Sequence, residues 1–280
     1  KGDIRIESVM APLMKKADVI IPLAALVGAP LCNLDPIGAT TINHDAITMM
    51  VKNLSQQQIV LMPTTNSAYG TGDENHYCTE DSPLRPISQY AIEKVAVEKE
   101  LMQHANAISF RLATVFGMSP RLRLDLLVND FTYRAVVDRC VVLFESHFKR
   151  NYIHVRDVSK AFQHGLNNFD KMKGQIYNVG LSDANVSKKE LCEHIQKQIP
   201  QFTFIEAPVG KDPVAQFSVR TPAGVTFTIP VVFVTTYRLP KASIDRFEYV
   251  ETGVLPTSAK VVFTGRPPAL ILQIDCCADV

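Results

Sequence analysis

Neither sign of charge dominates this chain: a formal net charge of +1 over 280 residues gives no electrostatic footprint for nucleic acid or an anionic membrane surface. The basic clusters that do occur, Lys15-Lys16 and Lys149-Arg150, are short. No apolar run is long enough to span a bilayer and no secretory signal pattern is present, so small-molecule chemistry in the cytoplasm is expected. The six cysteines, Cys32, Cys78, Cys140, Cys192, Cys276 and Cys277, lack Cys-x-x-Cys spacing and have no histidines at zinc-ligand intervals. No metal is expected, and idle thiols in a reducing compartment account for them. Internal repeats and low-complexity segments are missing too. The first residue is Lys1 rather than methionine, so the chain is read as a fragment with an upstream segment missing. What remains is ordinary globular composition, 46% hydrophobic and 20% charged, enough for one substantial core with or without a small second domain.

Up to about residue 205, apolar runs of strand length alternate with longer amphipathic stretches, the pattern of a parallel sheet with helices on both faces. The spacing predicts strands at Asp18 to Leu23, Gln58 to Met62, Ala107 to Leu112, Val141 to Phe144 and Ile176 to Val179. It predicts helices at Asp45 to Leu54, Ile87 to His104, Leu124 to Asp138, Val155 to Asn167 and Lys188 to Gln198. Ser187 and Glu190 have capping-box spacing at the start of the last. Beyond about residue 210 the texture changes to short β-prone runs such as Val225 to Thr235 and Lys260 to Phe263, broken by proline and glycine.

One constellation carries chemistry. Tyr90 and Lys94 are four apart in the helix predicted over Ile87 to His104, one turn above each other on one face. Thr65 follows the predicted strand Gln58 to Met62, so its hydroxyl can converge on the phenol at the strand's C-terminal end. A free tyrosine, with a pKa of about 10, must lose roughly three units to act as a base near neutrality. A lysine ammonium and a positively charged nicotinamide supply that by charge. A second Tyr-x-x-x-Lys pair, Tyr237 and Lys241, is discarded because Pro240 interrupts the helical face. His154, between apolar residues, is read as a packing group, and Arg156 and Asp157 as the start of a helix.

The motifs in order, Thr64-Thr65-Asn66-Ser67-Ala68-Tyr69-Gly70, Tyr90 to Lys94, Arg111 to Gly117, Arg150 to Asp157 and Tyr177 to Gly180, give residues 1 to about 213 a family likeness. They resemble the extended short-chain dehydrogenase/reductases, in their nucleotide-sugar epimerase/dehydratase branch. The resemblance implies an α/β fold, a Rossmann-like doubly wound parallel sheet lacking its N-terminal βαβ unit, with a small substrate lobe. Residues 214–280 form an atypical β-prone segment, read either as a fused β domain or as a shifted reading frame. The resemblance implies NAD as cofactor, with NADP not excluded. It places Asp3 and Ile4 near the adenine, Leu23, Ala24 and Ala25 against the dinucleotide, and Asn43 near the nicotinamide. Tyr90 and Lys94 touch the cofactor and form the catalytic set with Thr65, which also binds the substrate. Asn66, Thr114, Asn129 and Arg150 would line a nucleoside-diphosphate sugar, with the guanidinium on the diphosphate. A homodimer through the Ile87 to His104 and Leu124 to Asp138 helices is a further implication.

Departures narrow the reading. The glycine-rich phosphate loop and the acidic ribose contact of the family do not occur in this sequence. Where dehydratases of the branch carry an aspartate and a glutamate after the threonine, this chain has Asn66 and Ser67, which cannot supply the acid and base of an elimination. The expected activity is therefore NAD-dependent epimerisation of a nucleoside-diphosphate sugar through a keto intermediate. The alternatives are a carbonyl reductase of the same fold and a non-catalytic remnant or nucleotide-binding scaffold.

Overall fold

A computed structural model describes residues 2–71, 77–104 and 106–207, together with the backbone of two later strands. In chain order the elements are α1 Glu7–Met14, β1 Val19–Ile20, α2 Ala29–Leu34, α3 Pro36–Ala39, a π-helical turn Thr40–Asp45, α4 Ala46–Lys52 and β2 Ile59–Thr65. A 3-10 turn Asn66–Tyr69, α5 Gln89–Leu101, β3 Ala107–Leu112, β4 Thr114–Phe116, α6 Leu127–Val137, β5 Cys140–Leu143 and β6 Lys149–His154 follow. The series continues with α7 Val155–Asn167, α8 Phe169–Met172, β7 Gln175–Val179, β8 Asn185–Ser187, α9 Lys188–Gln198 and β9 Thr203–Glu206. Strands β10 Arg246–Tyr249 and β11 Val261–Thr264 form a separate antiparallel ladder.

The central sheet runs β1-β2-β3-β7, every pairing parallel, with Val60 opposite Ala107 and Phe110 opposite Tyr177. Side chains alternate across a strand, so β2 feeds two cores at once. Val60 and Met62 pack with Met14, Ile47, Met50, Val97 and Leu101 from α1, α4 and α5. Leu61 points the other way, into a cluster with Ile108, Phe110, Ala161 of α7 and Phe169 of α8. Each of these large side chains, fully withdrawn from water, contributes roughly 1.5–3 kcal/mol. A third core, with Phe131, Leu143, Tyr152, Ile195 and Phe202, joins α6 and α9 to β5 and β6 as a second lobe. The α/β class with helices on both faces of a parallel sheet is as expected. No helix among the described residues is long and apolar enough to cross a membrane.

The expected strands at residues 58–62, 107–112, 141–144 and 176–179 and all five expected helices are present within a few residues of their bounds. The expected strand Asp18 to Leu23 is observed only over Val19–Ile20, paired with β2 at the edge of the sheet. Helices α1, α2 and α3 and strands β4, β6, β8 and β9 were not anticipated. Prolines hide the helices: Pro12 lies inside α1, while Pro30 and Pro36 occupy first-turn positions where a missing N–H costs nothing. The anticipated capping box at α9 is formed, with the Ser187 side chain accepting from Glu190 N and the Glu190 carboxylate accepting from Ser187 N. Residues Val225 to Thr235, Tyr237, Lys241, Cys276 and Cys277 lie outside the described part.

Candidate active site

Strand β2 ends at Thr65, whose hydroxyl accepts from Ser67 N at 3.1 Å and so starts the 3-10 turn. The turn closes on Gly70 at φ 71°, where a Cβ would collide with the Arg85 carbonyl. Helix α5 packs on both β2 and this turn. Its N-cap is Ser88, whose Oγ accepts from Ala91 N at 3.2 Å. One stripe of α5 then carries Tyr90, Lys94 and Glu98 at intervals of four.

The upper part of that stripe is buried and unsatisfied. Lys94 is 3% exposed yet makes no hydrogen bond or ion pair among the described residues, and Tyr90, partly buried, makes none either. Asn66, beside Thr65, is 2% exposed and its Nδ2 has no partner among the described residues. Burial pushes the Lys94 ammonium down to about 8, opposed by the charges of Cys32 and Glu93. Burial also raises the Tyr90 phenol above its ordinary value, Cys32 adds to that, and Arg123 pulls it back. The expected depression of Tyr90 by Lys94 is not found, because desolvation outweighs the charge of the nearby Arg123.

The lower part of the stripe is buried and satisfied. Glu98, 2% exposed, accepts from Thr64 Oγ1 at 3.0 Å and Ser109 Oγ at 2.6 Å, and pairs with Arg111 Nη2 at 2.7 Å. Arg111 Nη1 donates to Tyr69 Oη at 2.9 Å, and that hydroxyl donates to Asn178 Oδ1 at 2.6 Å. Sequence reasoning did not single out this network, although Glu98 continues the four-residue spacing.

On the expected cofactor side, Ala25 is buried, Ala24 is partly buried and Leu23 is 54% exposed, at the head of a loop whose Leu26 is clamped by Asn43. Asn43 Oδ1 accepts from Leu26 N at 2.9 Å and Nδ2 donates to Leu26 O at 3.0 Å. Asp3 is committed locally to Arg5, whose guanidinium holds its carboxyl at about 2, and Ile4 is partly buried beside it. On the expected substrate side, Thr114 opens β4 opposite Tyr152, and Arg150 lies in β6, partly buried. Asn129 is spent on backbone: its Oδ1 accepts from Gly117 N at 3.0 Å and its Nδ2 donates to Arg123 O at 2.9 Å. It holds the loop that brings Arg123 within electrostatic reach of Tyr90, a residue the sequence did not point to. His154 is a cap and packing group, accepting from Arg156 N through Nδ1 and set edge-on to Phe116.

A curated relative, the low-salt glycan biosynthesis protein Agl12 of Haloferax volcanii, is 25% identical over 224 residues, 76% of this chain and 70% of its own. Among solved structures, the UDP-glucose 4-epimerase of Thermus thermophilus in complex with NAD superposes with a TM-score of 0.69 at 22% identity, covering 79% of this chain and 75% of that one. The dTDP-glucose 4,6-dehydratase of Bacillus anthracis in complex with NAD gives 0.66 at 17% identity, covering 79% and 70%. At such identities these structures establish the fold. The family model described as NAD dependent epimerase/dehydratase matches residues 1–180, well over half of the sequence, and the chain belongs to that family.

Proposed function

We propose that the chain acts on a nucleoside-diphosphate sugar as an NAD-dependent epimerase, with Thr65, Tyr90 and Lys94 as its catalytic residues. The observation that carries this reading lies at the upper end of α5, where the Lys94 side chain, 3% exposed, and the partly buried Tyr90 make no hydrogen bond among the described residues, beside the buried Asn66 amide, whose Nδ2 has no partner there. Burying such groups without partners costs several kcal/mol, so a ligand that satisfies them is the natural complement. The residues fit NAD: an ammonium with three free donors suits ribose hydroxyls, and the small side chains of Ala24 and Ala25 allow close approach of a dinucleotide. NAD, when bound, supplies the hydride acceptor and a positive charge beside the phenol.

Tyr90 would take the proton of the sugar hydroxyl as the carbon that bears it is oxidised. Thr65 donates to the oxygen that becomes the carbonyl, and Lys94 holds the phenolate form of Tyr90 by charge. Tyr90 would return the proton after the keto-sugar has turned over and presented its other face. Arg150 anchors the diphosphate so that the sugar moves while the remote part stays bound. Asn129 serves by shaping the Arg123 loop. Asn66 and Ser67 favour epimerisation over dehydration, since neither is an acid that can protonate a leaving hydroxyl. The same reading divides the chain into a catalytic domain, residues 1–213, and a β-prone segment, residues 214–280. It pairs two copies through α5 and α6, where Ile92 and Val137 are exposed, in the cytoplasm.

The test is to incubate the full chain with NAD and UDP-glucose and follow sugar configuration by NMR and reduced nicotinamide by absorbance. An epimerase interconverts the sugars with no net absorbance change. Net consumption of reduced cofactor when NADH and a keto-sugar are supplied instead identifies the reductase, and loss of water to a deoxy-keto sugar overturns the assignment of Asn66 and Ser67.

A further inference from the structure

Glu93 is a buried acid that the reaction above does not use. It is 6% exposed, in the middle of α5, one residue before Lys94. Three donors converge on it: Thr40 Oγ1 at 2.7 Å and Gln89 Nε2 at 3.0 Å on Oε1, and Asn43 Nδ2 at 3.3 Å on Oε2. The second hydrogen of Asn43 Nδ2 goes to Leu26 O, and Asn43 Oδ1 takes Leu26 N, so one amide joins the carboxylate to the loop carrying Ala24 and Ala25. An alanine or serine would fill this position without the desolvation cost of a charge. The carboxylate therefore needs a reason, and two lie next to it.

The first is mechanical: the π-helical turn Thr40–Asp45 projects Asn43 between the loop and α5, and Glu93 locks that arrangement from the helix side. The second is electrical. Lys94 is buried without a hydrogen-bonded partner among the described residues, and the groups whose charge favours its ammonium are Cys32 of α2 and Glu93 of α5. Burial pushes the Cys32 thiol up to about 11, so at neutral pH it is uncharged, and Glu93, the residue before Lys94, is the acidic group of the two. Cys32 itself donates to Leu26 O at 3.3 Å, on the same loop.

We propose that Glu93 is a positioning residue for the reaction: through Asn43 it fixes the Leu23–Leu26 loop against α5, and its carboxylate is the counter-charge that keeps Lys94 an ammonium. The role rests on the functional reading above, but it has a readout that needs neither substrate nor turnover. In the full chain labelled with 13C-lysine, the Lys94 resonance, assigned by its loss in Lys94→Met, is titrated by NMR in wild type and in Glu93→Gln, together with exchange of the Leu26 amide. The midpoint falls by about one pH unit in Glu93→Gln, and Leu26 N–H exchanges at least about tenfold faster. Glu93→Asp keeps the charge but withdraws it, and gives a smaller fall in the same direction, which serves if Glu93→Gln does not fold. A purely structural Glu93 would lower thermal stability and leave the midpoint where it was. An unmoved midpoint in every variant that folds overturns the proposal, whereas a wild-type chain that titrates as described and turns over no sugar overturns only the functional reading.

Discussion

Two clusters of buried polar groups sit on the same stripe of α5, one turn apart, and they differ in a single respect. Around Glu98 every group has a partner within the protein: Thr64, Ser109, Arg111, Tyr69 and Asn178 complete one another. Around Lys94, the ammonium, the Tyr90 phenol and the Asn66 amide are left without partners among the described residues. Polar groups on one stripe of a helix thus do opposite work. The satisfied cluster fixes β2, β3, β7 and α5 in register, and the unsatisfied one lowers the stability of the empty protein in exchange for a place where a polar ligand is complementary.

Four outcomes sharpen or break that contrast. The largest is chemical: Tyr90→Phe, which alters the unsatisfied cluster without disturbing a contact, lowers turnover by about 10²–10⁴-fold while NAD affinity and melting temperature stay near wild type. An unchanged turnover number would sink Tyr90 as the base. Next, Arg111→Met in the satisfied cluster strands the Glu98 carboxylate and costs about 3–5 kcal/mol in denaturant unfolding. Third, Lys94→Met removes a buried charge, while Glu93 keeps its three hydrogen-bond donors. With its pKa brought from 10.5 to about 8, Lys94 costs the empty protein about 3 kcal/mol at neutral pH, so this variant unfolds later than wild type. The sign follows with pH: between about 8 and 10.5 the unfolded chain binds the proton and the folded one does not. Wild-type stability therefore rises through that window and the gap to Lys94→Met closes. The smallest effect lies outside both clusters, where Ser187→Ala at the α9 capping box costs about 1 kcal/mol.

Much of this was legible in the residues. The four-residue spacing of Tyr90 and Lys94 and the position of Thr65 after an apolar run were enough to anticipate the strand, the helix and the groups they present. The parallel sheet followed from runs such as Ile59 to Met62, buried on both faces. What was not legible depends on distance in sequence. Glu98 and Arg111 are separated by 13 residues, and Asn178 is 109 residues from Tyr69, so their partnership exists only once the sheet is built. The same holds for Glu93, whose donors Thr40 and Asn43 lie about fifty residues upstream. Asn129 shows the converse: an asparagine read as a diphosphate ligand is taken up by Gly117 N and Arg123 O, because a turn near a helix start offers backbone partners that no periodicity reveals. The helices α1 to α3 were hidden because proline reads as a breaker wherever the helix start is unknown.

The most direct test of the contrast is the unfolding free energy of Lys94→Met against wild type at pH 7, measured with and without NAD. The account predicts that the variant is the more stable of the two when empty, by up to about 3 kcal/mol, and that NAD stabilises it less than it stabilises wild type. A Lys94→Met protein less stable than wild type in the absence of NAD would mean that the ammonium is already satisfied within the fold, and the upper end of α5 would lose its claim to be a ligand site.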